Sequence, residues 1–368
     1  MSLVDQIAAA RKKVITDGYE MSVGEIINLY KEGDLKIDPV FQRLFRWRDD
    51  RKTRFIESLI LGIPIPPIFV SMDEAGVWEL VDGLQRISTI LQFTTDLTGE
   101  RAAELGPLVL NGTRFLPALD GKRWEDSSQD AGDGIDKALQ REIKRTRLRV
   151  EILKAESDTS AKFELFQRLN TGGAGLTEQE VRNSIAVSLN RPFYDWLMGC
   201  ARNAAFMNST SQTANALESE AGTELALRFF AFRNVPYQNG LDVHEYLDDA
   251  LMQMTVEEPL DMASEGSVFE RTFTILDEAL SDQSFKRWNG HRFGGKFLMS
   301  VFEVLSTGVS HNLAALEAMS DTDRTTTIVT KAQSLWSDKR FTTNSGGGVR
   351  GTTRLAKLLP IAEEIVRP

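Results

Sequence analysis

Hydrophobic and polar positions divide the chain into two regimes. Up to about residue 155 short apolar runs alternate with turn residues, and beyond it apolar positions recur at helical spacing. Ser22 with Glu25 reads as a capping box for a helix to about Tyr30, which Gly33 closes, and a helix is also expected over residues 3–16. Leu35-Lys36-Ile37 reads as a short strand, and Asp49 or Asp50 as the cap of a helix carrying Phe55, Leu59 and Ile60 on one face. The segment Gly62-Ile63-Pro64-Ile65-Pro66-Pro67 breaks that helix before a strand at Ile68-Phe69-Val70. A hairpin through Asp73–Gly76 leads to a second strand at Val77–Val81. Further strands are expected at Leu108-Val109-Leu110 and at the alternating Leu148-Val150-Ile152, with a polar loop at Glu125–Asp133. Helices are expected over 160–169, 177–189, 191–202, 217–233, 243–253, 266–281, 295–306, 322–337 and 353–366. The pattern predicts an α+β domain with a small mixed sheet over residues 1–155, followed by an all-α helical domain over 156–368.

The most informative stretch is Val81-Asp82-Gly83-Leu84-Gln85-Arg86, where a strand turns at glycine into a helix. The apolar Leu84, Ile87, Ile90 and Leu91 share one helical face, and Gln85 and Arg86 are expected on the other, near Asp82. Free backbone N–H groups, the helix dipole and Gly83 suit an anion, and Arg86 adds a fork of donors. Alone, an Asp-Gly turn is an ordinary corner capped by Asp82. Two further polar constellations interrupt core-like patterns: Gln42-Arg43 beside Phe45 and Trp47, and Phe166-Gln167-Arg168-Leu169-Asn170-Thr171-Gly172-Gly173, which also fits a helix C-cap.

Composition removes several classes. One cysteine, Cys200, excludes a disulfide framework and a thiolate zinc site, and the three histidines lack metal-ligand spacing. No segment is apolar for long enough to span a bilayer, so no membrane partner is expected and cytoplasm is the default compartment. A net charge of −10 excludes coating of nucleic acid by overall charge. It leaves local basic stretches, one through Arg43, Arg46, Arg48, Arg51, Lys52 and Arg54 beside aromatic residues, another through Arg141–Arg149. Trp288–Gly295 and Asn344–Gly348 read as a surface turn and a linker, with a binding role for either left open. No Walker A lysine loop is present.

The motifs Phe41-Gln42-Arg43 through Trp47, Val81 through Arg86, and Phe166 through Gly173 with Leu176-Thr177, Glu180 and Arg182-Asn183 resemble a known set. They are similar to the hallmarks of the ParB/sulfiredoxin-like domain at the N-terminus of GmrSD-type restriction factors. Glu224 through Phe230 is similar to the helical part of that family, so the resemblance spans roughly residues 20–240. It implies a regulatory domain of a DNA-directed, anti-phage restriction system that binds a nucleoside triphosphate (of unspecified base) with Mg2+ and hydrolyses it. By position, Asp82, Gln85 and Arg86 fall on its catalytic signature, with Asp82 holding metal or water. Gln42, Arg43, Gly83, Arg86 and Asn170 fall on nucleotide-binding positions. Many family members carry Gln-Gln where this chain has Leu84-Gln85, which puts hydrolysis in question. Longer relatives carry an HNH-type nuclease, yet only His291 and His311 lie in the last hundred residues, with no such motif around them. A separate nuclease subunit is therefore the expected partner, and a homo-oligomer stays open. The alternative is a DNA-binding or modified-DNA-sensing module without NTPase activity, contacting DNA through Arg46, Arg48 and Arg51.

Overall fold

In the computed structural model, residues 2–5, 7, 15–38, 45–127, 132–158, 162, 164, 165, 168, 169, 177–211 and 221–368 are described. The chain divides into two compact units, Met1–Leu176 and Thr177–Pro368.

The first unit is built on a five-stranded mixed sheet. Its strands are β1 (Thr16–Ser22), β2 (Leu35–Lys36), β3 (Ile68–Met72), β4 (Trp78–Asp82) and β5 (Arg147–Leu153), in the spatial order β1-β5-β3-β4-β2. β5 runs antiparallel to β1 and parallel to β3, β3 is antiparallel to β4, and β4 is parallel to β2. Leu148, Val150 and Ile152 are buried, as their alternation requires, while Arg147 and Arg149 are exposed. Among the described residues, the sheet is accompanied by α1 (Val23–Glu32), α2 (Asp49–Leu61), α3 (Leu84–Phe93), α4 (Glu100–Leu105) and α5 (Lys137–Arg145). α1 has the expected Ser22/Glu25 capping box and ends at left-handed Gly33. α3 is buried along nearly its whole length, including Gln85, Ser88, Thr89 and Gln92, and forms the centre of this unit.

The architecture expected from the sequence, a small mixed sheet with helices followed by a helical region, is the one observed. Several local expectations change. Arg48, not Asp49 or Asp50, occupies the N-cap of α2 and makes no side-chain cap bond; the two aspartates sit in the first turn, where the helix dipole favours them. No strand forms at residues 108–110: Leu108 and Leu110 are buried in a loop, with Leu110 bonded through its backbone to Gly121 and Lys122. β1 begins at Thr16, inside the segment expected to be helical, and neither of its faces is apolar throughout, so it exists through its pairing with β5. α4 and α5 were not expected, although Asp136 caps α5 through the Leu139 amide. Within the Glu125–Asp133 loop, residues 128–131 lie outside the described residues, as does most of the segment 160–169.

The second unit is helical: α6 (Glu178–Leu189), α7 (Arg191–Ala201), α8 (Ala204–Ser209), α9 (Ala221–Asn234), α10 (Val243–Met252), α11 (Met262–Leu280), α12 (Met299–His311), α13 (Leu313–Glu317), α14 (Asp321–Ser334), α15 (Lys339–Asn344) and α16 (Gly351–Val366). A two-stranded hairpin, β6 (Arg287–Trp288) with β7 (Phe293–Gly294), stands where a surface turn was expected. α9 is buried on all sides, and Phe229 and Phe230 pack against Phe269 of α11. Arg228 of the same helix is buried and bonds Glu224 one turn earlier. Cys200 is half-buried, and burial pushes its thiol up to about 12.

Gly308 sets the approach of α12 to α16. A Cβ there would meet the Ala362 carbonyl oxygen and the Val366 Cγ2 at 2.4 Å each, and helix backbones do not yield as flexible side chains do. Gly308→Ala is therefore expected to destabilise the protein by about 1–3 kcal/mol in urea denaturation, despite alanine's better helix propensity. An unchanged midpoint would mean that the two helices are free to separate.

Candidate functional site

Gly83 turns β4 into α3 with φ at +103°, a conformation that favours glycine, and a Cβ there would lie 2.5 Å from Ile68 Cδ1. Glycine is thus required twice over at this corner. Arg86, one turn into α3, reaches back so that its Nη2 donates to Asp82 Oδ2 at 2.7 Å. Its Nη1 donates to the carbonyls of Pro66 and Pro67, the latter at 3.0 Å. Burial lowers the guanidinium's pKa from its ordinary value, and the charge of Asp82 opposes that shift. Arg86 therefore ties three pieces of chain together: the end of β4, the start of α3 and the proline loop before β3.

Gln85 faces inward, not outward, and is only 8% exposed. Its Oε1 accepts two adjacent backbone amides, Arg46 at 3.1 Å and Trp47 at 3.0 Å. Arg101 adds a third tie, with Nη2 donating to the Phe45 carbonyl at 2.9 Å. Phe45 is buried beneath the Lys52 ammonium, which lies 4.7 Å from its ring and pairs with Asp49. Trp47 packs edge-to-face on Phe55, and the Arg51 guanidinium lies 4.6 Å from the Trp47 ring. The residues before α2 are in this way fixed to the Asp82–Arg86 corner. They lead into exposed Arg46, Arg48, Arg51 and Arg54, of which Arg48 also approaches Asp50 at 3.4 Å.

Of the residues expected to form a site, Asp82, Gly83, Gln85 and Arg86 are together, with Arg46, Arg48 and Arg51 next to them through Gln85. Gln42, Arg43 and Asn170 lie outside the described residues. Among the described residues no three His, Cys, Asp or Glu side chains are grouped to hold a metal. The Asp82 carboxylate pairs with the Arg86 guanidinium, which brings a positive charge to it.

A second polar cluster, in the helical unit, escaped the sequence reading as a site although its motif positions were noticed. Arg182 of α6, 1% exposed, bonds Gln179 through Nε and Asp248 of α10 through Nη1 at 3.1 Å. Its Nη2 lies 3.4 Å from His244 Nδ1 and 3.8 Å from Glu224 Oε2. Asn183 accepts from Gln179 at 2.7 Å. Burial pulls Glu224 up, but Arg228, Arg182 and His244 outweigh it and hold the carboxyl below its ordinary value. Burial raises Asp248 to about 6; Arg182 works against the shift, while Glu178 and Asp249 reinforce it. The signal in the sequence was His244 and Asp248, four apart on a helix opened by the Asp242/Glu245 capping box.

Comparison with known proteins places this geometry. Residues 23–187 match the family described as GmrSD restriction endonuclease, N-terminal domain, and so take in both the corner and α6. Those residues, under half of the chain, are similar to that domain. No curated protein matches the chain. Among solved structures, a Pnob8-like ParB-N domain matches with 13% identity over 90% of this chain and 96% of its own, at a TM-score of 0.25, too low to carry an argument. Within the matched residues, the Asp82–Arg86 motif and the Gln179–Asn183 segment are each held by hydrogen bonds of their own unit. Among the described residues no helix is long and apolar enough to cross a membrane.

Asp248 gives a pH test. A carboxyl raised in the folded state binds its proton more tightly there than in the unfolded chain, so its contribution to stability is greatest below the unfolded value near 3.8 and falls as pH rises through about 6. Relative to the parent, Asp248→Asn is expected to flatten the pH dependence of the denaturation midpoint between pH 4 and 6, by on the order of 2 kcal/mol across the window. Parallel curves for parent and variant would remove this assignment.

Proposed function

We propose that this protein is a DNA-binding or modified-DNA-sensing module of a restriction system that works without NTP hydrolysis. Its Asp82–Arg86 corner acts as a clasp holding an arginine-rich DNA-contact segment. The observation that carries this reading is the pair of bonds from the Arg46 and Trp47 amides to Gln85, which pins the backbone at the head of α2 while leaving Arg46, Arg48 and Arg51 exposed. A pinned segment loses less conformational entropy on binding than a free one. Arginine side chains supply phosphate contacts that are independent of sequence, and Trp47 with Arg51 presents a stacked surface beside them. The match of residues 23–187 to a restriction endonuclease N-terminal domain supports a DNA-directed role. The nucleotide reading has weaker support, because the Arg86 donors expected to meet phosphate are taken by Asp82, Pro66 and Pro67.

The test is a titration of a labelled duplex at several salt concentrations. Arg46, Arg48 and Arg51, with about three phosphate contacts, are expected to contribute about −2.7 to the slope of log K against log[salt], and changing the three together to alanine should remove that component. In parallel, melting is followed with ATP, GTP, CTP or UTP plus Mg2+. No saturable shift is expected. A shift that is lost in Asp82→Asn, combined with salt-insensitive DNA binding, would overturn the proposal in favour of a nucleotide site.

A further inference from the structure

The hairpin β6–β7 stands out from the electrostatics of its own unit. Acidic residues make up 53 of the 368, yet none occurs between Asp282 and Glu303, a stretch that holds Lys286, Arg287, His291, Arg292 and Lys296. Several arginines elsewhere in the unit are matched to carboxylates: Arg182 with Asp248, Arg228 with Glu224, Arg233 with Glu265, Arg271 with Glu317 and Arg354 with Glu303. Among the described residues, Arg292 and Lys296 are exposed and have no carboxylate partner. Arg287 is exposed as well and lies over the Trp336 ring at 5.3 Å. Lys286 pairs with Asp282 at 2.6 Å, which leaves Arg292 and Lys296 as like charges concentrated on a small projection, at a cost in self-repulsion.

The shape is equally specific. Arg287 pairs with Gly294 and Trp288 with Phe293, so the period-two alternation of strands puts the two rings on one face and Arg287 with Gly294 on the other. The rings are half-buried and 4.9 Å apart. Asn289 Oδ1 accepts the His291 and Arg292 amides and fixes the tip. Gly294 has an ordinary φ and open space where a Cβ would stand, so neither strain nor crowding inside the chain calls for glycine there. A glycine of that kind in a strand suits close approach by another backbone.

We propose that this hairpin is a second nucleic-acid contact, in which Arg292 and Lys296 meet the sugar–phosphate backbone of DNA and the Trp288–Phe293 face lies against sugar or base. An acidic protein surface would satisfy the cations but leave the ring pair without a planar partner; nucleic acid satisfies both. The contact is on different residues from the Arg46–Arg51 segment and does not rest on the role proposed for it.

The experiment uses the full chain and labelled DNA, duplex and single-stranded, titrated across salt concentrations, with poly-glutamate as the competing polyanion. The double variant Arg292→Ala/Lys296→Ala should melt like the parent, since both side chains are exposed. Its log K against log[salt] slope should be shallower by about 1.8 on a duplex, at about 0.9 per phosphate contact, whereas the charge-preserving Arg292→Lys should retain the parent slope. The proposal is overturned if the parent does not bind DNA, if the double variant binds with the parent's affinity and slope, or if only binding to poly-glutamate falls. The Arg46/Arg48/Arg51 variant is run alongside. If it alone behaves as the parent, the unit 1 contact fails and the hairpin stands; if only the hairpin variant is silent, the reverse holds.

Discussion

One carboxamide organises the N-terminal unit. Gln85 Oε1 accepts the amides of two consecutive residues, Arg46 and Trp47, and so fixes both the position and the direction of the chain entering α2. A buried acceptor that satisfies two backbone donors cannot be removed without orphaning both, and each orphan costs on the order of 1–3 kcal/mol. Arg86 performs the matching task on the other side, joining Asp82 to the proline loop. Gly83 lets both side chains leave the same corner by admitting Ile68 where a Cβ would otherwise sit. The three residues act as a unit: the turn sets the helix, and the helix sets the loops on either side of it.

Buried charge is the corresponding constraint in the helical unit. α9 lies inside its bundle, so Arg228 needs an anion and finds Glu224. Glu303 of α12, fully buried, is held by two bonds from Arg354 of α16 at 2.7 and 2.9 Å; burial still raises its carboxyl above the ordinary value, with Arg354 and Arg228 opposing the rise. Pairs of this kind add little net stability over an apolar core, but losing one partner leaves a charge stranded, which is why they specify one arrangement of helices. Asp248, beside Arg182, is the member of this set whose proton is exchanged in the mildly acidic range.

The strands and helices with one apolar face were legible in the sequence: β5 from its alternation, α1 and α6 from their capping boxes, α3 from Ile87, Ile90 and Leu91. β1 was not, because Thr16–Ser22 carries no one-sided pattern and takes its conformation from a partner some 130 residues away in the chain. Leu108 and Leu110 look like a strand because burial, not pairing, selects apolar residues there. At the corner, sequence located Asp82, Gly83, Gln85 and Arg86 but put Gln85 on the solvent side. Helical periodicity reads faces, and it has no means of showing that a polar side chain is buried to receive backbone amides from elsewhere. The Arg182–Asp248 pair was hidden for the same reason, since 66 residues separate its members.

The central claim is that Gln85 is a clasp on the Arg46–Trp47 backbone. Amide hydrogen exchange in the parent and in Gln85→Leu, which keeps the size and removes the acceptor, tests it most directly. The account predicts that protection of the Arg46 and Trp47 amides collapses in the variant while the amides of β3 and β5 keep theirs. Unchanged protection at Arg46 and Trp47 in a folded Gln85→Leu protein would contradict it.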